Sequence, residues 1–79
     1  MDHIVLFFTH SGAIKFEIYL EGKGMSGRTM PVPRKLSSSC GVCNLFSTDE
    51  LKMEGMNLED IDRIYKVDGS NYFLIYEGE

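Results

Sequence analysis

The chain begins with an apolar run, residues 3–9 (HIVLFFT), that is rich in β-branched and aromatic side chains. The run is too short for a buried helix, and its continuous apolar character is typical of a strand that is covered on both faces. Such a strand needs neighbouring strands at both edges. Because a chain of 79 residues buries only about 60–65% of its unfolded surface, we expect one small domain, residues 1–79, built around this strand.

The segment after this strand predicts an amphipathic helix. Residues 12–21 place apolar side chains at three positions of one helical face. Ser11 is suitable as the N-cap of this helix. Two glycines, Gly22 and Gly24, supply the signal that ends it.

Two further strands and a second helix are predicted in the middle of the chain. Residues 28–32 and 41–46 are strand-like, and the prolines that end the first segment restrict it to an edge of the sheet. The S-x-x-E pattern that starts at Ser47 is a capping box. It predicts a second helix over residues 48–54, followed by one further helical turn over 58–61.

The C-terminal residues predict a β-hairpin. Residues 63–67 and 72–76 are β-type runs joined by the sequence Asp-Gly-Ser-Asn, which is a strong turn signal. The predicted order is therefore β-α-β-β-α-β with an extra C-terminal strand. This order favours an α+β, ferredoxin-like two-layer sandwich with a mostly antiparallel sheet. The helices would cover one sheet face, and the other face would be open to homodimer formation.

Composition argues against several functional classes. The net charge of −4 is unfavourable for a nucleic-acid partner, and no apolar run approaches the ~20 residues that cross a membrane. Two cysteines are too few to crosslink a small secreted fold, and the N-terminus lacks the basic segment of a secretory signal. The spacing of His3 and His10 does not match a zinc finger. We therefore expect a cytoplasmic protein with reduced thiols and without a metal, a cofactor or a membrane partner.

The central segment, residues 30–46, holds the residues with the clearest chemistry. It contains both cysteines and three consecutive serines, and it lies in an acid-free stretch, residues 22–47, with four positive charges. The thiolate is the nucleophilic form of cysteine, and we expect Arg34 and Lys35 to favour it at Cys40. We also expect the hydroxyl and backbone N–H groups of Ser37, Ser38 and Ser39 to hydrogen-bond the thiolate. Gly41 is expected to allow a close approach of the backbone to the sulfur.

Cys40 and Cys43 formally make a C-x-x-C motif, but residues three apart on a strand face opposite sides. We therefore interpret Cys43 as a core residue, and a resolving role stays open only if the segment is a turn. Two alternatives to a reactive Cys40 also stay open. In one, the protein is a small regulatory module that binds an anion with Arg34 and Lys35 while Cys40 is only packed. In the other, which is less favoured, both thiols form a redox pair.

The segment PVPRKLSSSCG, residues 31–41, resembles the signature of a family of small selenium/sulfur carrier-like proteins. The resemblance extends in pattern over the whole chain. It implies that Cys40 accepts a persulfide or selenide group from a donor enzyme and passes it to an acceptor protein, so that the protein is a carrier more than a turnover enzyme. It also implies that Arg34, residues 37–39 and Gly41 support the thiol. Cys43 departs from the family pattern, in which a small apolar residue is usual.

Overall fold

The computed structural model describes residues 1–36 and 40–78 and, within them, contains one α-helix packed on a five-stranded antiparallel sheet. The helix has 13 residues, and among the described residues no helix is long and apolar enough to cross a membrane. The elements in chain order are β1 (Asp2–Phe7), α1 (His10–Gly22), β2 (Gly27–Pro31), β3 (Val42–Ser47), a 3₁₀ turn (Leu58–Asp60), β4 (Ile61–Asp68) and β5 (Asn71–Glu77).

Strand β1 is the centre of the sheet, whose strand order is β2-β3-β1-β4-β5. Its residues 3–7 are all buried, and β3 and β4 pair with it in antiparallel orientation at its two edges. The prediction of a central strand buried on both faces is confirmed. Val5 and Phe7 face the helix, whereas Ile4 and Leu6 face the opposite side of the sheet.

Helix α1 begins two residues earlier than the sequence pattern predicts. Thr9 has an extended backbone (φ −140°, ψ 163°), and its hydroxyl oxygen accepts a hydrogen bond of 3.2 Å from the backbone N–H of Gly12. Thr9 is therefore the N-cap, and the prediction of Ser11 is wrong because Ser11 lies inside the first helical turn. The consequence for the site is that His10 becomes the first residue of the helix.

The second predicted helix is absent. Residues 48–57 form bends and turns, and only the short 3₁₀ turn follows them. Gly55 has a left-handed backbone (φ +83°), which stops helical propagation, and the seven residues before it are too few to stabilise a helix of their own. Leu51 and Met53 instead pack against the core from an irregular segment. The α+β class and the antiparallel sheet are confirmed, whereas the ferredoxin-like topology with two helices is not.

The sheet buries a separate cluster of side chains on each face. The helix-side cluster contains Val5, Phe7, Ala13, Phe16, Leu20, Cys40, Phe46, Ile61 and Ile64. The far-side cluster contains Ile4, Leu6, Cys43 and Tyr65, with Val32 and Leu36 among the partly buried residues that pack on it. The face opposite the helix is thus partly covered by this chain's own residues, and a homodimer through that face stays a prediction.

The C-terminal hairpin forms as predicted. Strands β4 and β5 pair in antiparallel register up to Asp68 and Asn71, and the loop between them is Gly69-Ser70. Gly69 has φ +62°, a conformation that such tight hairpin loops require and that glycine adopts easily.

Candidate functional site

Cys40 lies directly before β3, at the end of the sheet where α1 begins. Its side chain is only 8% exposed and belongs to the helix-side cluster. The next residue, Gly41, has φ +81°, and a Cβ atom added there would meet no atom of the described residues within 4 Å, its chain neighbours aside. Gly41 is therefore favoured by the backbone conformation of the turn and not by crowding. Across this turn, the backbone N–H of Val32 donates to the carbonyl of Gly41 over 3.4 Å.

The structure places His10 beside Cys40. The His10 Nε2 atom lies 2.8 Å from the carbonyl oxygen of Cys40. Because a carbonyl oxygen can only accept a hydrogen bond, Nε2 must carry the hydrogen. The His10 side chain is otherwise exposed at the first position of α1. The sequence alone draws attention to His10 only through its spacing to His3, and no local signal connects it to a residue 30 positions away.

Cys43 occupies a different environment from Cys40. It is fully buried in the far-side cluster, and its thiol donates to the carbonyl oxygen of Pro31 over 3.7 Å. Burial raises the pKa of the Cys43 thiol to about 11, with a smaller contribution from the charge of Cys40. Cys43 is thus a core residue, as interpreted from the sequence. Both cysteines are thiols on different sides of the sheet, and a resolving role for Cys43 stays a prediction.

The two cations of the motif are exposed, and they are not equivalent. The Lys35 ammonium donates to the carbonyl oxygen of Ser70 over 3.2 Å. Ser70 lies in the β4–β5 loop, at the end of the sheet where β1 starts, whereas Cys40 lies at the end where β1 finishes. Arg34 is exposed at the turn after β2. The predicted supporting roles of both residues stay predictions, and those of Ser37, Ser38 and Ser39 lie outside the described residues.

The acid-free stretch does not form one basic band around Cys40. Lys23 follows the last residue of α1, whose first residue contacts Cys40. At 1.5 Å per residue, the 13 residues of the helix separate the two ends by about 20 Å. Of the four cations, Lys23 is therefore too far from the thiol to act on it at short range.

Other chemical features of the described residues lie apart from Cys40. Residues 1–36 and 40–78 contain no group of three or more His, Cys, Asp or Glu side chains that could hold a metal ion. A cavity of about 230 Å³ lies between the C-terminal half of α1 and residues 48–56. Its apolar lining comes from Leu20, Met25, Phe46 and their neighbours, and Cys40 is not part of it. The candidate site is therefore the Cys40–Gly41 turn with His10.

Comparison with known proteins identifies a family. Residues 2–67 match the model of the family described as "Putative Se/S carrier protein-like". The matched range runs from β1 into β4, includes Cys40, and ends before β5. No curated protein and no solved structure matches the chain.

Proposed function

The chain belongs to the Se/S carrier-like family, and on this premise we propose that it carries sulfur or selenium, bound covalently to Cys40, from a donor enzyme to an acceptor protein. The observation that carries the proposal is the family match, whose range includes Cys40 together with the strand–helix unit that positions it. The protein itself is then the substrate of two partner proteins and not a turnover enzyme.

The proposed chemistry needs no external oxidant. The Cys40 thiolate attacks the terminal sulfur of a persulfide on the donor. The sulfur–sulfur bond of the donor breaks, the donor thiolate leaves with the electron pair, and Cys40 becomes a persulfide. An acceptor thiolate then attacks the terminal sulfur of Cys40 in the same way and regenerates the Cys40 thiolate. The selenium version transfers a terminal selenium atom by the same bond changes.

The contrast between the two cysteines supports a carrier with one thiol. A nucleophile must be present as thiolate, and the raised pKa of Cys43, about 11, leaves it protonated at neutral pH. Cys43 is also fully buried, so a partner protein cannot reach it in the folded state. Both observations disfavour the alternative in which Cys40 and Cys43 act as a redox pair.

The surroundings of Cys40 support an anionic sulfur species. The N-terminal end of a helix carries partial positive charge, and the first residue of α1 contacts the Cys40 backbone. Arg34 is the motif cation that we propose as a supporting charge. Lys35 could take part only after its hydrogen bond to Ser70 is released.

The test is sulfur loading followed by mass spectrometry. The protein is incubated with a cysteine desulfurase and cysteine, and its intact mass and peptide map locate any added sulfur. Wild type and Cys43→Ala are expected to gain one sulfur atom on Cys40, and Cys40→Ser is expected to gain none. Sulfur on Cys43, or no sulfur on any variant, would overturn the proposal. The anion-binding alternative makes a different prediction: anion binding is retained in Cys40→Ser and is lost in Arg34→Ala.

A further inference from the structure

Sulfur transfer between two proteins requires the reacting sulfur atoms to meet. In the folded chain, however, the Cys40 side chain is only 8% exposed and belongs to a buried cluster. A carrier built on this thiol must therefore expose it during transfer. The residues that hold the Cys40–Gly41 turn in place then decide how often the thiol becomes accessible.

We propose that His10 is a positioning residue that controls access to the Cys40 thiol through the hydrogen bond from Nε2 to the Cys40 carbonyl oxygen. This inference rests on the proposed function for its purpose. Its test does not, because access to a thiol can be measured without any sulfur being carried.

The geometry of the turn supports this role. The His10 bond is short, 2.8 Å, and ties the turn to the first residue of α1. On the other side of the turn, the bond from Val32 to Gly41 is longer, 3.4 Å. Since the His10 ring lies at the surface, water can replace the carbonyl as its partner. Breaking the bond therefore removes one of the contacts that hold the turn at α1, in addition to the packing of the Cys40 side chain in the helix-side cluster.

Opening of the turn can remain local because of where the two cysteines lie. Cys40 precedes β3, whereas Cys43 is inside β3 and pairs with Leu6 and Met30 on either side. The turn can move away from α1 without separating these strands. Exposure of Cys43 requires the sheet itself to open. The labelling of Cys43 thus reports global unfolding in the same sample in which the labelling of Cys40 reports the local event.

The size of the effect follows from the value of one hydrogen bond. Loss of a neutral hydrogen bond shifts an opening equilibrium by roughly 2- to 10-fold. We expect His10→Ala to increase the labelling rate of Cys40 by this factor. In His10→Gln the side-chain amide can donate from nearly the same position as Nε2, so that part of the wild-type protection returns. Ser11→Ala, at an exposed neighbour in the same helical turn, is the matched control and is expected to leave the rate unchanged.

The experiment is iodoacetamide labelling of the folded protein at one fixed pH, with the rates at Cys40 and Cys43 measured separately by peptide mapping. The expected result is faster labelling of Cys40 in His10→Ala, partial reversal in His10→Gln, and an unchanged rate at Cys43. An unchanged Cys40 rate in His10→Ala would overturn the inference. Parallel acceleration at both cysteines would also overturn it, because it shows general destabilisation. If the labelling result holds but Cys40 accepts no sulfur from the desulfurase, the proposed function fails and the role of His10 in access stands.

Discussion

The Nε2 atom of His10 lies 2.8 Å from the carbonyl oxygen of Cys40, across 30 positions of sequence. This hydrogen bond joins the first residue of the helix to the cysteine of the motif. It brings the strand–helix unit into contact with the motif segment. The helix start depends on the N-cap at Thr9, so the cap also determines where the His10 side chain lies.

Cys43 should be inert in the folded protein. With a pKa of about 11, only about one Cys43 thiol in a thousand is a thiolate at pH 8, and the side chain is fully buried as well. We expect iodoacetamide to leave Cys43 unmodified in buffer and to label both cysteines in concentrated urea. Peptide mapping distinguishes the sites. Rapid labelling of Cys43 in the folded protein would contradict the packing described for the far-side cluster.

His3 should make the fold sensitive to acid. The His3 ring is buried and stacks on Phe46, and burial lowers its pKa below the ordinary value of 6.5. As pH falls through 6.5, the unfolded chain gains a proton that the folded chain still excludes. The free energy of unfolding therefore decreases from that pH down to the lowered folded-state pKa.

The matched variant for this prediction is His3→Gln, which cannot titrate. Urea denaturation between about pH 7 and pH 5 should show a smaller loss of stability for the variant than for wild type. Both proteins share every other titrating group, so the difference isolates His3. If the two stability profiles are parallel over this range, His3 is not protonated on unfolding.

Gly12 and Gly22 should respond to alanine in opposite directions. A Cβ atom at Gly12 would lie 2.9 Å from the Asp60 Cβ and 3.2 Å from its carbonyl oxygen. That carbonyl already accepts a hydrogen bond from the backbone N–H of Phe8 over 3.1 Å, which restricts its movement. We expect Gly12→Ala to destabilise the fold by about 1–3 kcal/mol.

At Gly22, an added Cβ would have no contact within 4 Å among residues 1–36 and 40–78, its chain neighbours and the helix backbone aside. Alanine is the better helix former, so Gly22→Ala is expected to stabilise the fold by up to about 1 kcal/mol. Urea denaturation measures both changes. A stabilising Gly12→Ala would show that the contact between α1 and Asp60 is looser than described.

Gly41 should be sensitive to substitution for a conformational reason. Its φ of +81° lies in the left-handed region, where an ordinary L-residue is destabilised by about 1–2 kcal/mol. Gly41→Ala should therefore lower stability by that amount and speed the labelling of Cys40. Gly41→Asn should lower stability less, because asparagine tolerates this conformation better. Equal losses in the two variants would point to packing, although no atom in the described part of the chain lies within 4 Å of the added Cβ, its chain neighbours aside.

Local sequence signals predicted the parts of the fold that depend on local physics. The apolar run of β1 and the Asp-Gly-Ser-Asn turn determine a buried strand and a hairpin almost without help from distant residues. The capping box at Ser47 is equally local, yet it failed. Gly55 has φ +83°, which is incompatible with a continuing helix. Leu51 packs on the core from an irregular segment, and this packing depends on the whole fold.

The site was predictable only in part for the same reason. The composition of residues 30–46 indicates a thiol site at Cys40, but the neighbours of that thiol come from the tertiary fold. His10 joins it because Thr9, and not Ser11, caps α1. Lys35 is close to Cys40 in sequence and nevertheless bonds to Ser70 at the other end of the sheet. The supporting role of Lys35 stays a prediction. Proximity in sequence did not indicate the contact with Ser70 or the contact of His10 with Cys40.

The decisive measurement is transfer of the carried sulfur. Cys40 is loaded with radiolabelled sulfur by a cysteine desulfurase, the donor is removed, and glutathione is added as the acceptor thiol. If the protein is a carrier, the label moves from Cys40 to glutathione as a persulfide, equally well in wild type and Cys43→Ala, and Cys40→Ser carries none. The contradictory result is release of the label as hydrogen sulfide while Cys43 attacks Cys40 and a Cys40–Cys43 disulfide forms, which would identify a dithiol redox protein instead.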